Sequence, residues 1–315
     1  MNNEKLKGHL LILITNVLFA INIPISKFLI PVHIRPEALT LLRIVSGCLL
    51  FWIASLFVPR EKVAPKDLGM LFLCALCGIA FNQSLFMAGL NLTSPVDASI
   101  IATAGPVYVM LLAALILKEP ITKQKALGVF SGVAGAITLI LSSAGGGMEG
   151  GGMEGNLRIV FSNLLYSVYV VLSRPLSQRY SAVTIMKWMF LFSAVMLLPF
   201  MYRQVLEAPA FHREIPDWSE WGALVYVLLL GTFLPYLMIP MSLKRLRPTT
   251  VSMYNYIQPV VASLLAVCLG QGSLSWAKLF AAALIFTGVY LVTQSKSRAD
   301  IEKENQSAQL RNEKT

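Results

Sequence analysis

Apolar residues along this chain neither alternate nor recur once per helical turn; they run on. Ten stretches of mainly apolar residues fall at about 8–30, 37–58, 67–91, 96–117, 124–143, 157–179, 182–202, 220–243, 249–269 and 276–295. Each approaches the roughly 20 residues that carry a helix across a bilayer. A helix apolar all round belongs in a membrane or in the middle of a large core. The pattern therefore predicts an all-α polytopic membrane protein of ten transmembrane helices. Residues 296–315 are polar with mixed charge, which predicts a disordered tail. The first run follows Lys5 and Lys7 as a signal peptide would. Its length, with Asn16, Asn22 and Pro24 inside it, predicts a retained helix instead.

Composition agrees. The chain is 56% hydrophobic and 13% charged, with a mean hydropathy of +0.67; soluble domains carry about 25% charged residues. The net charge of +10 would suit nucleic acid, but no basic stripe interleaved with aromatics exists to bind it. The loops explain it better. With the N-terminus inside, 15 Lys and Arg fall on the inner side (Lys5, Lys7, Arg60, Lys62, Lys66, Lys118, Lys123, Lys125, Arg174, Arg179, Lys244, Arg245, Arg247, Lys296, Arg298) and 6 outside (Lys27, Arg35, Arg158, Arg203, Arg213, Lys278). Basic loops stay cytoplasmic, so both termini are expected there. Cys48, Cys74, Cys77 and Cys268 all lie in apolar runs. Cys74-x-x-Cys77 has no second pair, and His9, His33 and His212 are in distant segments, so the cysteines are expected to be small apolar filler.

Sliding the chain by 153 residues exposes a repeat. Gly69, Leu71, Leu76, Gly78 and Leu90 fall on Gly222, Leu224, Leu229, Gly231 and Leu243; Pro95 and Pro106 fall on Pro248 and Pro259. Smaller offsets align the earlier helices: Asn16 and Phe19 with Asn163 and Tyr166 at 147, Arg43 with Lys187 at 144. Five helices per unit is an odd number, so the second unit is expected upside down. Charge follows: uncharged "NLTSP" (91–95) matches basic "KRLRP" (244–248), and basic "KEPITKQK" (118–125) matches "QGSLSWAK" (271–278) with one lysine. The units are 1–143 and 157–295, joined by an external Gly-rich linker at 144–156 and followed by a cytoplasmic tail at 296–315. Inverted repeats of this kind mark secondary transporters, with the substrate site near the midplane.

The segments "SPVDASIIATAGPVYVMLLAALILKEPIT" (94–122) and "RPTTVSMYNYIQPVVASLL" (247–265), the helix-2 arginine in "LTLLRIVSG" (39–47) and the "GVYLV" ending (288–292) resemble the drug/metabolite transporter superfamily, in its EamA-type branch. The resemblance spans residues 8–295. It implies an inner (plasma) membrane permease that exports amino acids, related metabolites or toxic compounds. The chain departs from the pattern where Gly272 stands opposite the family-like Glu119.

Intramembrane charge marks function, and little is present. Glu37, Asp67, Asp97, Glu119 and Glu220 sit at helix ends. Arg43 and Lys187 lie about 10 Å into their helices, placed to gate, to meet an anionic substrate, to snorkel or to bond structurally. Asp97 is the remaining charge candidate. Uncharged polar groups are more plentiful: Asn16, Asn22, Asn82, Gln83, Thr103, Asn163, Tyr166, Tyr169, Tyr236, Tyr254, Asn255 and Gln258. In hydrocarbon each must find protein, water or substrate, so as a set they predict a water-filled central cavity for neutral or zwitterionic small molecules. On one helical face Val251, Tyr254, Asn255, Gln258 and Ala262 line up. Pro106 and Pro259 are matched candidate hinges, beside Pro24, Pro235 and Pro240. Small residues at Gly128, Gly132 and Gly135, against Ala281, Thr287 and Gly288, suit close packing.

The expected activity is therefore secondary transport by alternating access, most simply export. The expected partners are a small-molecule substrate and the lipid bilayer, with the protein a monomer or homodimer. No cofactor, metal site or catalytic residue is expected: H-E-x-x-H, paired midplane aspartates and a Gly-rich phosphate loop are missing from the sequence. The competing classes are a polytopic membrane enzyme and a non-transporting receptor or assembly factor.

Overall fold

The computed structural model describes residues 3–30, 32–93, 98, 101–102, 104–143, 153–211, 218–261 and 276–295, and among these every regular element is a helix. Six helices are long and apolar enough to cross a membrane: α1 (Asn3–Leu29), α2 (Pro36–Ala54), α3 (Pro65–Leu92), α6 (Met153–Arg179), α7 (Ala182–Leu206) and α8 (Trp218–Leu243). Of the remaining four expected spans, α4 (Gly105–Leu117) is shorter than a membrane-spanning helix needs. Helix α5 (Lys123–Ser143) and α10 (Trp276–Gln294) are of near-spanning length, and α9 begins at Pro248–Met253 and is described to 261. Part of the expected fourth span, the end of the ninth from 262, most of the linker (144–152) and the tail from 296 lie outside the described residues.

Prolines set several helix starts. Pro36, Pro65, Pro106 and Pro248 stand in the first turns of α2, α3, α4 and α9, where the missing N–H costs nothing and the fixed φ suits a helix. Helix α7 starts on Ser181, whose Oγ accepts from Thr184 N at 3.3 Å. Glu61, in the loop before α3, accepts from Ser181 N at 3.0 Å and from Ser181 Oγ at 2.9 Å. Partial burial raises the Glu61 pKa, but hydrogen bonds from Thr184 and Ser181 outweigh it and hold the carboxyl below its ordinary value.

Helices α3 and α8 share an interruption. Each widens into one π-helical turn, Leu76–Ala80 in α3 and Leu229–Phe233 in α8. The two turns lie 153 residues apart, and a glycine sits at the middle of each because another helix touches there. A Cβ on Gly78 would lie 2.4 Å from the Tyr169 ring of α6, and one on Gly231 would lie 2.1 Å from Asn22 Oδ1 of α1.

The main pairings are α5 with α10, α2 with α7, α3 with α6, α1 with α8, and α4 with α6 and α9. The α5–α10 contact is backbone-close: a Cβ on Gly128 or Gly135 would meet the carbonyl oxygens of Gly288 and Ala281 at 2.8 and 2.7 Å. The main apolar core joins α2, α3, α6, α7 and α8. Phe51 stacks against Phe190 and Phe233 at 5.2 and 4.7 Å between ring centroids, and Cys74 and Cys77 are buried in the same cluster. Outward-facing residues are also apolar, with Leu115 77% and Phe200 75% exposed. Such a surface suits lipid and would be untenable in water.

Candidate functional site

Helices α1, α2, α3, α6, α8 and α9 enclose a cavity of about 110 Å³. Helix α1 contributes Phe19, Asn22 and Ile23, and α3 contributes Asn82, Gln83 and Phe86. Helix α6 contributes Ser162, Asn163 and Tyr166, α9 contributes Asn255 and Gln258, and Arg43 of α2 and Tyr236 of α8 complete the polar lining. Ala98 and Ala102 add an apolar patch. Seven of the expected cavity residues thus meet at one place: Asn22, Asn82, Gln83, Tyr166, Tyr236, Asn255 and Gln258. Asn163, also singled out as a polar position, joins them.

Hydrogen bonds between helices hold this lining. Asn82 Nδ2 donates to Ser162 O and Oγ, both at 2.9 Å, and Ser162 Oγ donates back to Asn82 O at 2.9 Å. Gln83 Nε2 donates to the Tyr236 hydroxyl at 3.1 Å, and that hydroxyl donates to Gly78 O in the α3 π-turn at 3.3 Å. Arg43 is 4% exposed. Its Nε donates to Thr232 Oγ1 at 2.8 Å and its Nη2 to Gly231 O at 3.2 Å, both in the α8 π-turn. A π-turn loosens the regular i→i+4 ladder, and here each turn offers a carbonyl to a polar side chain from elsewhere. Arg43 therefore bonds inside the protein and does not snorkel.

Other expected residues stand elsewhere. Asn16 lies behind the lining: its Oδ1 accepts from Gln258 Nε2 at 2.9 Å and its Nδ2 donates to Ile12 O. Tyr169 is fully buried against Gly78. Lys187 holds its ammonium 5.3 Å from the Trp52 ring centroid, away from the cavity. Pro106 is at the start of α4, and Pro259 is buried in the described part of α9. Thr103 and Asp97 lie outside the described residues. The single polar face expected on α9 is corrected. The chain tightens to 3₁₀ geometry at Tyr254–Tyr256, and three residues per turn instead of 3.6 shifts the phase. Asn255 and Gln258 face the cavity, Tyr254 shares a 2.8 Å hydrogen bond with His9 Nδ1, and Tyr256 donates to Val129 O of α5.

Beyond the cavity, polar contacts occur in matched pairs that no single residue in the sequence signals. Lys27 Nζ donates to Leu90 O at 2.7 Å, and Arg174 Nη1 donates to Leu243 O at 3.1 Å. His33 Nδ1 stands 2.6 Å from Glu220, and the Tyr180 hydroxyl donates to Asp67 at 2.7 Å, with Arg179 2.8 Å from the same carboxylate. Lys27 and Arg174, like His33 and Tyr180, are 147 residues apart; Leu90 and Leu243, like Asp67 and Glu220, are 153 apart. These are the two repeat offsets, so the signal was in the sequence, but only the fold joins a base on one helix to a carbonyl on another.

A family model described as the EamA-like transporter family matches residues 6–141 and again 153–294. The uncharacterized transporter YetK of Bacillus subtilis is 22% identical over 254 residues, covering 80% of this chain and 75% of the relative. The aromatic amino acid exporter YddG of Ancylobacter novellus is 26% identical over 217 residues, covering 69% of this chain and 73% of the relative. A solved crystal structure matches with a TM-score of 0.70 at 21% identity, over 92% of this chain and 96% of that one; at that identity the likeness concerns the fold.

Proposed function

Because the chain belongs to the EamA-like transporter family, we propose that it is a secondary transporter exporting small neutral or zwitterionic metabolites, amino acids and related compounds, by alternating access. The cavity is the binding site. Ten spans form two inverted five-helix units, 1–143 and 157–295, with the linker 144–156 outside, both termini in the cytoplasm and the protein in the inner (plasma) membrane. The excess of Lys and Arg on the inner side supports this orientation.

One observation carries the reading: a polar cavity lined by both halves of the chain, with repeat-matched contacts on α1, α3, α6 and α8 beyond it. Under the proposed topology Lys27, Leu90, His33 and Glu220 lie at the outer end, and Arg174, Leu243, Tyr180 and Asp67 at the inner end. Opening one end breaks one set while the other stays closed. Because the sets are alike, the outward-open and inward-open states differ little in energy, which alternating access requires. The relative YddG is an aromatic amino acid exporter, which supports the substrate class. The apolar part of such a cargo would rest on Phe19, Ile23 and Phe86, and its polar part on the amides and tyrosines.

The test is export from cells. Overexpression should raise the external concentration of at least one amino acid or related metabolite, or confer resistance to it, relative to cells lacking the protein. Unchanged external metabolites across the amino-acid class, with no change in resistance, contradict the proposal.

A further inference from the structure

Arg43 is a cation in the wrong place for a structural role alone. It lines the cavity, is almost fully buried, and has no carboxylate within 4 Å among the described residues. A guanidinium carries five N–H donors; the described partners, Thr232 Oγ1 and Gly231 O, are neutral and engage two of them. Removing a cation from water is costly unless an anion and further hydrogen bonds answer it. The repeat partner Lys187 does not share the position, since it sits over Trp52. Among the described lining residues Arg43 is thus the one cation.

Unanswered acceptors share the cavity. Asn22 Oδ1 and Gln83 Oε1 are buried without a hydrogen-bond donor, in side chains 4% and 2% exposed, and both residues line the cavity. They are neighbours of Arg43 through α8: Asn22 rests on Gly231, whose carbonyl takes Arg43 Nη2, and Gln83 bonds Tyr236 one turn further on. Buried polar groups in native structures are almost always paired. Among the described residues Arg43 has no anion and two amide oxygens have no donor; one molecule bearing both charges would supply both.

We infer that Arg43 anchors the carboxylate of a zwitterionic cargo and that the amide oxygens of Asn22 and Gln83 receive its ammonium, which rests on the transporter reading above. Guanidinium and carboxylate match as a two-pronged, charge-assisted pair, and the asymmetry of Arg43 against Lys187 gives the cargo one orientation in the cavity.

The test uses the full chain in proteoliposomes. Uptake of radiolabelled L-leucine and L-phenylalanine is measured with L-phenylalaninamide, which lacks the carboxylate, and 3-phenylpropanoate, which lacks the ammonium, as competitors. In the wild type both analogues should compete at least tenfold more weakly than L-phenylalanine. In Arg43→Gln the advantage of L-phenylalanine over its amide should fall by about ten- to a hundredfold, the worth of a charge-assisted hydrogen bond, and Arg43→Lys should recover part of it. The inference is overturned if the amide competes with the wild type as well as L-phenylalanine does. It is also overturned if monodisperse Arg43→Gln keeps the wild-type discrimination. If Arg43→Gln does not fold, the wild-type competition decides alone. Wild-type protein that moves neither amino acid brings down the amino-acid reading itself, and this inference with it; normal uptake without discrimination brings down only the inference.

Discussion

At the scale of single residues, a few close contacts set how the helices meet. Gly231 touches Asn22 and Gly78 touches Tyr169, so a methyl group at Gly78 must push the Tyr169 ring and its helix away, and one at Gly231 must displace the Asn22 amide. Overpacking of this kind costs about 1–3 kcal/mol. Gly231→Ala and Gly78→Ala should lower the melting temperature in detergent by several degrees. Gly69→Ala and Gly222→Ala, where nothing lies within 4 Å of a new Cβ, should leave it unchanged or slightly raised, since alanine favours helix. Equal effects at all four would remove the π-turn contacts from the account. Function divides in the same way on α9. Gln258→Ala should lower transport about tenfold with folded protein retained, because it opens the cavity wall and strands Asn16 Oδ1. Tyr254→Phe, which loses only the bond to His9 outside the lining, should keep the wild-type KM. The reverse ranking would put Tyr254 back in the site.

At the scale of elements, the matched contacts predict opposite responses. Asp67→Asn weakens the contact of α3 with Tyr180 and Arg179, and Glu220→Gln weakens that of α8 with His33. With a cysteine at Asn255 on a background free of the native cysteines, Asp67→Asn should speed labelling by an impermeant maleimide from the cytoplasmic side, and Glu220→Gln from the outer side. Acceleration from the same side in both would break the inverted arrangement. The start of α7 predicts a pH effect. The Glu61 pKa is lower folded than unfolded, so its contribution is present above the ordinary carboxylate value of about 4.5 and is lost as pH falls through the lower folded value. Glu61→Gln should therefore melt earlier than wild type at pH 7, and the two should converge as pH falls through the lowered folded value. A gap that persists at low pH would assign the effect to something other than this charge.

At the scale of the whole molecule, the class of protein was legible because it rests on long averages. Twenty-residue hydropathy survives local error, and the family match agrees with the multi-pass membrane class it indicates. What was not legible is local geometry that averages hide. The 3₁₀ turn at Tyr254–Tyr256 moved Tyr254 off the cavity, because periodicity assumes 3.6 residues per turn throughout. The π-turns leave no periodic signal, although Gly78 and Gly231 are a matched pair in the repeat. Arg43 and Lys187 looked equivalent in sequence; one entered the cavity and the other stacked on Trp52.

The central claim is that one cavity is exposed alternately to the two sides of the membrane. Counterflow tests it most directly. Proteoliposomes loaded with unlabelled L-phenylalanine or L-leucine, diluted into a trace of the same labelled amino acid, should accumulate label transiently above the equilibrium level and faster than empty vesicles, because a loaded carrier returns through the same cavity. Accumulation equal with and without internal amino acid, or equal to protein-free vesicles, would contradict the account.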